Sequence, residues 1–188
     1  MAIYIKELPP IEYLNECFTL DVENGIIKWK PRPLHHFNNK SESYSSFNQA
    51  HTGKIAGSFL RSSRNMDIIY QRVKLDSITY KIHRIIFKMF YGYDPDLIDH
   101  IDGNTLNNKP ENLRSVPPSV NSKNKSLSSK NTSGVNGVKI NITKKRYIAD
   151  LGNTTKSFKI FEEAVVCRKA WEKENNFHPN HGRERNVA

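Results

Sequence analysis

Cysteine is almost missing from this chain of 188 residues: Cys17 and Cys167 are the only two, and they lie far apart. With no Cys-x-x-Cys pair, a tetrahedral structural zinc site of the usual spacing is excluded. Long apolar runs are also missing, so no segment reads as a membrane span, and no signal-peptide pattern opens the chain. Free thiols without an export signal predict a reducing, cytoplasmic setting. There the Asn-x-Ser/Thr triplets at Asn131, Asn141 and Asn153 carry no meaning. Hydrophobic residues reach a modest 37 %, which argues against one large core and for two thin α+β units joined by a polar segment. Aromatic residues, at 10 %, are enough to anchor small cores.

Acid is scarce beyond the first two dozen positions. Up to Asn24, Lys6 stands against Glu7, Glu12, Glu16, Asp21 and Glu23, a local balance of −4; the whole chain carries +10, so the remainder carries +14. A basic body with no lipid anchor implies a polyanionic partner, because each Lys or Arg that neutralises a phosphate releases a condensed counterion. Composition alone also allows a merely soluble basic protein.

Along the chain, Pro9-Pro10 stop one element, and Ile11, Leu14 and Phe18 recur at i, i+3 and i+7, predicting a short helix broken by Gly25. Ile26 to Trp29 predicts a strand closed by Pro31-Arg32-Pro33. Residues 34–65 show no regular pattern. Ser41, Ser43, Ser45 and Ser46, with Gly53 and Gly57, predict a solvated or DNA-facing loop, in which the His35-His36 pair has no third metal ligand at a sensible spacing. Tyr70 to Leu75 alternates as a strand, Asp76-Ser77 turns it, and Ile78-Thr79-Tyr80 returns. Ile82, Ile85, Ile86, Met89 and Phe90 make one apolar helical face, ended by Gly92 and Pro95. His83 reads as a structural histidine bonding that hairpin, with a second active-site imidazole as the alternative.

Further on, Pro117-Pro118-Ser119 starts a short helix carrying Asn121, and residues 122–133 are polar and positive without acid, a linker able to follow a phosphate backbone. Residues 135–140, 146–151 and 156–160 predict three strands. Phe161-Glu162-Glu163 opens a helix with acids at its positive end, and Ala164, Cys167, Ala170 and Trp171 form a face to cover the sheet. His178 and His181 read as surface residues.

The chemistry concentrates in Ile98-Asp99-His100-Ile101-Asp102-Gly103-Asn104, followed by Asn107-Asn108 and Glu111-Asn112-Leu113-Arg114. Cutting a phosphodiester needs a nucleophile made from water, charge stabilisation at phosphorus and help for the departing oxygen. A neutral histidine can take the proton from water, and one hard divalent cation can supply the rest through oxygen ligands. His100 is the base candidate and Asp99 the ligand candidate; on a strand they point to opposite faces. Asn107, Asn108 and Asn112 can bond loop backbone and fix the hairpin. The second ligand should come from a following helix, where Asn121 is well placed. The alternative is an Asp/Asn-rich turn with a surface histidine.

The run from Ile98 to Arg114, with Tyr80-Lys81-Ile82-His83-Arg84 before it, resembles the HNH endonucleases, in the branch typical of phage and intron homing enzymes. The resemblance implies a ββα-metal fold across roughly residues 70–125. Asp99 and Asn121 would then ligate one Mg²⁺ or Mn²⁺ ion, His100 would be the general base, and Asn112 would brace the loop. Asn131 to Val138, with a basic strand and Phe161-Glu162-Glu163-Ala164, resembles the AP2-type DNA-binding domain, with Tyr147 where that family customarily has a strand tryptophan.

These readings predict an α+β protein with an N-terminal segment over 1–69, a nuclease core over 70–125, a basic linker over 126–133 and an AP2-like domain over 134–180. The expected function is site-specific cleavage of double-stranded DNA, leaving 5′-phosphate and 3′-hydroxyl ends, by a monomer in the cytoplasm (the host's, if phage-encoded). Candidate DNA contacts are Arg84, Arg114, Lys123, Lys125, Lys139, Lys144, Lys145 and Arg146. A DNA-binding regulator with a vestigial HNH unit is the alternative.

Overall fold

In the computed structural model, which describes residues 7–61 and 69–184, the chain divides into two mixed α and β units, with the boundary between Val116 and Pro117.

In the first unit Pro10, with its fixed φ, leads into helix α1 (Ile11–Cys17), which buries Leu14 and Cys17. The helix ends before Phe18, earlier than its apolar spacing predicts. Phe18 instead opens strand β1 (Phe18–Asp21), where its ring packs 4.5 Å from that of Trp29 on strand β2 (Ile26–Trp29). The two strands pair antiparallel, Phe18 opposite Trp29. Their turn contains Gly25 at φ +62°, and a Cβ there would lie 2.4 Å from the backbone nitrogen of Lys109. The turn therefore rests directly on the backbone of a distant loop, an approach only glycine permits.

Residues 34–65 are not a loop. They form a 3-10 helix (Leu34–Phe37), helix α2 (Ser41–His51) and strand β3 (Ser58–Arg61), apart from those beyond Arg61, which lie outside the described residues. The serines conceal the pattern because α2 buries no residue fully. It is held by Phe47, 5.0 Å from the ring of Trp29, and by Asn48, whose amide exchanges two hydrogen bonds with the backbone of Arg32.

Strand β3, strand β4 (Ile69–Leu75) and strand β5 (Ile78–Lys81) make an antiparallel sheet in that order. Val73, Leu75 and Tyr80 are buried on one face. Alternation therefore sends Tyr70, Arg72, Lys74, Thr79 and Lys81 to the other, where Arg72 stands opposite Lys81 and Lys74 opposite Thr79. Helix α3 (Ile82–Tyr91) follows at once and ends at Gly92, φ +85°. Its buried face is Ile82, His83, Ile85, Ile86 and Phe87, while Phe90 is half exposed. The face is thus rotated from the predicted one to take in His83 and Phe87. Full burial of a side chain such as Ile85 or Ile86 contributes about 1.5–3 kcal/mol. Strand β6 (Ile98–His100) and strand β7 (Leu113–Ser115) close the unit as a hairpin whose long loop ends in a 3-10 turn (Pro110–Asn112).

The second unit holds the short helix α4 (Pro118–Ser122), then a three-stranded antiparallel sheet of β8 (Val138–Asn141), β9 (Arg146–Asp150) and β10 (Thr155–Phe158), with β9 central. Helix α5 (Phe161–Glu174) packs on this sheet. Its buried residues are Ala164, Arg168 and Glu172, one i, i+4, i+8 stripe; Ala170, predicted to cover the sheet, is exposed. The cause is a buried ion pair, Arg168 to Glu172 at 3.0 Å, with Arg168 also donating to the carbonyl of Asp150 at 2.8 Å. Gly137 makes room, since a Cβ there would sit 2.3 Å from Arg168 Nε. His181, expected at the surface, is buried beside Glu172. The segment expected to be a linker is tied at its start to the end of the same unit, through Gly182 N–H to Lys125 O and Leu127 N–H to Arg183 O.

Candidate active site

Strand β6 carries Asp99 and His100 in succession, and both are buried, at 6 % and 5 % exposure. Their ladder to β7 pairs Asp99 with Arg114 and His100 with Leu113. The adjacent loop is built from amides. Asn112 donates from Nδ2 to Asp102 Oδ1 at 2.9 Å and to Asn107 O at 2.8 Å, and its Oδ1 accepts from the Asp102 N–H at 3.0 Å. Asn107 donates to the other oxygen of Asp102 at 2.7 Å, and the Asn104 N–H donates to Asp102 Oδ1 at 2.8 Å. Asp102 thus collects three donors. Burial works to raise its pKa but is outweighed by these bonds, so the carboxyl is held below the usual range.

His100 Nε2 lies 3.1 Å from Asn108 Oδ1, while Asn108 Nδ2 donates to Gln71 Oε1 on β4 at 2.8 Å. The His83 ring stands edge-on to His100 at 5.0 Å and is itself 5.7 Å from the ring of Tyr70. Burial lowers the pKa of His83 well below the ordinary histidine value and, against the favourable Asn108, Asp102 and Asp99, also lowers that of His100. Both imidazoles are therefore neutral at pH 7, the state a base requires. His83 packs between Tyr70 and His100 and props the second ring.

Asp99 Oδ2 accepts from both Nε and Nη2 of Arg114, at 2.9 and 2.7 Å. A buried carboxylate that already holds a cation has the donor chemistry a hard divalent ion needs. Asn121 lies on α4, in the second unit.

The expected DNA contacts divide. Arg84 is bonded to the Asp94 carboxylate, Lys139 to that of Asp150, Lys123 Nζ to Asn175 O at 2.7 Å, and Arg146 to Ser157. Lys125, Lys144 and Lys145 are exposed, with no ion pair among the described residues. Arg72 and Lys74, which were not among the sequence candidates, line the outer face of the β3–β5 sheet with Ser58, Ser77 and Thr79 around a concavity of about 390 Å³. The alternation of Tyr70 to Leu75 was the signal that marks them.

The His35-His36 pair does find a third group. Helix α1 brings Glu16 to it, with ligand atoms of all three residues within 4.8 Å of one another. Glu16 Oε2 lies 2.8 Å from His36 Nε2 and 3.6 Å from His35 Nε2. However, Arg32 Nε donates to His36 Nδ1 at 3.2 Å, which places the His36 proton on Nε2, where it bonds Glu16. A metal ligand at Nε2 would need the opposite tautomer. The cluster is a hydrogen-bonded brace for α1.

No helix among the described residues is long and apolar enough to cross a membrane. No curated protein and no solved structure matches the chain. Residues 80–123, about a quarter of the chain, match the family model described as HNH endonuclease, and this match suggests a DNA endonuclease in general terms.

Proposed function

We propose that the chain is a site-specific, homing-type DNA endonuclease in which Asp99 and His100 do the cutting. The observation that carries this reading is their arrangement inside the matched segment: a buried neutral imidazole next to a buried, cation-holding carboxylate, on a strand braced by an amide-rich loop. His100 takes a proton from water, and Asn112 holds the loop through Asp102 and Asn107. A divalent ion, Mg²⁺ or Mn²⁺, held by Asp99, would supply charge stabilisation at the phosphate and at the departing 3′ oxygen. Arg114 neutralises Asp99 in the resting protein and would be free to meet DNA phosphate if the carboxylate took up an ion instead. The β6–β7 hairpin, with Asp99 and His100 on its first strand, supports the two-stranded part of a ββα-metal reading of residues 70–125. The three-stranded sheet with one covering helix supports an AP2-like recognition domain, in which the exposed Lys144 and Lys145 meet the DNA.

The test is incubation of supercoiled plasmid with and without Mg²⁺, beside the His100→Ala variant. Wild-type protein should nick or linearise the plasmid only with metal. His100→Ala should stop cutting and leave DNA affinity within about a few-fold, since a missing general base costs roughly 10²–10⁴ in rate. Binding without cutting by the wild type would instead mark a DNA-binding regulator with a vestigial site.

A further inference from the structure

We propose that Gln71 is a positioning residue that, through Asn108, fixes the proton of His100 on Nε2 and its lone pair on Nδ1. The inference rests on the nuclease reading for its consequence in catalysis, and on the hydrogen bonds alone for its chemistry. Gln71 lies on β4, outside the residues that match the family model. Its Oε1 accepts from Asn108 Nδ2 at 2.8 Å, and Asn108, 1 % exposed, turns its Oδ1 toward His100 Nε2 at 3.1 Å. A carboxamide has one end that only donates and one that only accepts. With the donor end of Asn108 spent on Gln71, its acceptor end faces the imidazole, and His100 Nε2 must carry the hydrogen. Rotating Asn108 alone would set its oxygen against Gln71 Oε1 inside a buried site, an unpaired and repulsive arrangement. The polarity of Gln71 is therefore transmitted to the imidazole two hydrogen bonds away.

While Gln71 keeps its Oε1 toward Asn108, the lone pair of the neutral ring is the one on Nδ1, and the tautomer that turns the lone pair toward Asn108 is disfavoured. The neighbouring Thr105 hydroxyl also bonds back to the carbonyl of Ile69 on the same strand, so β4 holds this loop at two points.

Side-chain ¹⁵N resonances of the full-length protein at about pH 8, where an ordinary imidazole is neutral, report the tautomer directly. Wild-type His100 should show a protonated Nε2 and an unprotonated Nδ1. Gln71→Leu should give a mixture of tautomers and reduce the cleavage rate about tenfold or more, with DNA affinity unchanged. Gln71→Glu, which still accepts from Asn108, should restore the Nε2–H tautomer and most of the rate. If Gln71→Leu does not fold, Gln71→Met of similar length takes its place, and the wild-type spectrum and the Gln71→Glu variant remain decisive. A wild-type His100 protonated on Nδ1 would overturn the proposal, as would a pure Nε2–H tautomer that persists in Gln71→Leu or Gln71→Met. Wild-type protein that shows the tautomer yet cuts no DNA would count against the nuclease reading and leave the relay intact.

Discussion

Asp99 and Arg114 face each other across the β6–β7 ladder, and two nitrogens of the guanidinium converge on a single carboxylate oxygen, Oδ2. A positive side chain thus occupies one of the two oxygens of the carboxylate proposed to hold the metal ion. Replacing Arg114 with Gln should tighten Mn²⁺ binding at least about threefold, because removal of a unit charge this close to a ligand favours another cation. Calorimetric titration of Mn²⁺ into the two proteins measures it. Weaker binding by the variant would show instead that Arg114 holds the carboxylate in its ligating position.

Asp102 predicts a pH dependence. Its pKa in the fold lies below the value of 3.8 for an unperturbed aspartate, so its stabilising effect is present above that value. The effect is lost as pH falls through the lower, folded pKa. Asp102→Asn should therefore cost about 1 kcal/mol at pH 7, below the roughly 1.5–3 kcal/mol usual for hydrogen bonds to a charge because the group is partly exposed. The gap to wild type should narrow below about pH 4. Urea midpoints at pH 7, 5 and 3 check both statements.

Arg32 is 4 % exposed and is held by three side chains: Tyr13 Oη at 2.8 Å, His36 Nδ1 at 3.2 Å and Asp76 Oδ1 at 2.7 Å. Asp76 also accepts from the Tyr13 hydroxyl, and burial foremost, then this bond, pushes the tyrosine pKa up. Asp76→Asn keeps a residue tolerant of the left-handed turn there (φ +49°) while removing the charge opposite a buried cation. The expected loss is about 2 kcal/mol, read as a lower urea midpoint with an unchanged slope.

Lys144 and Lys145 sit exposed in the turn between β8 and β9, Lys145 at φ +46°. If they meet DNA phosphates, Lys144→Gln with Lys145→Asn should reduce the slope of log affinity against log salt by roughly 1 for each lysine removed. Asparagine keeps the turn geometry. A slope unchanged from wild type would place this edge away from DNA.

The elements were legible wherever apolar residues kept a clean period. Alternation marked β4 and β5, and the i, i+3, i+4 spacing marked α3. Residues 34–65 were opaque because α2 is anchored by Phe47 and Asn48 rather than by an apolar stripe. The α5 face was misread because a buried Arg168–Glu172 pair stands where periodicity expects hydrophobic residues. In the site, the loop asparagines were visible from their clustering. Gln71 was not, since its part depends on an Asn108 37 residues away in sequence. Glu16 was hidden likewise: its approach to His36 is a fact of tertiary packing, invisible to spacing.

Gly25 gives the molecule an unusual indivisibility. Its backbone touches Asn108 and Lys109 so closely that no side chain fits between them, which means the N-terminal hairpin serves as a mould for the loop beside His100. A fragment limited to residues 80–123 would carry the motif yet leave that mould behind, along with Gln71. The recognisable segment can be copied into another protein as text, but its working shape belongs to the longer chain. Transplanting the chemistry would mean moving the first unit from its opening helix onward.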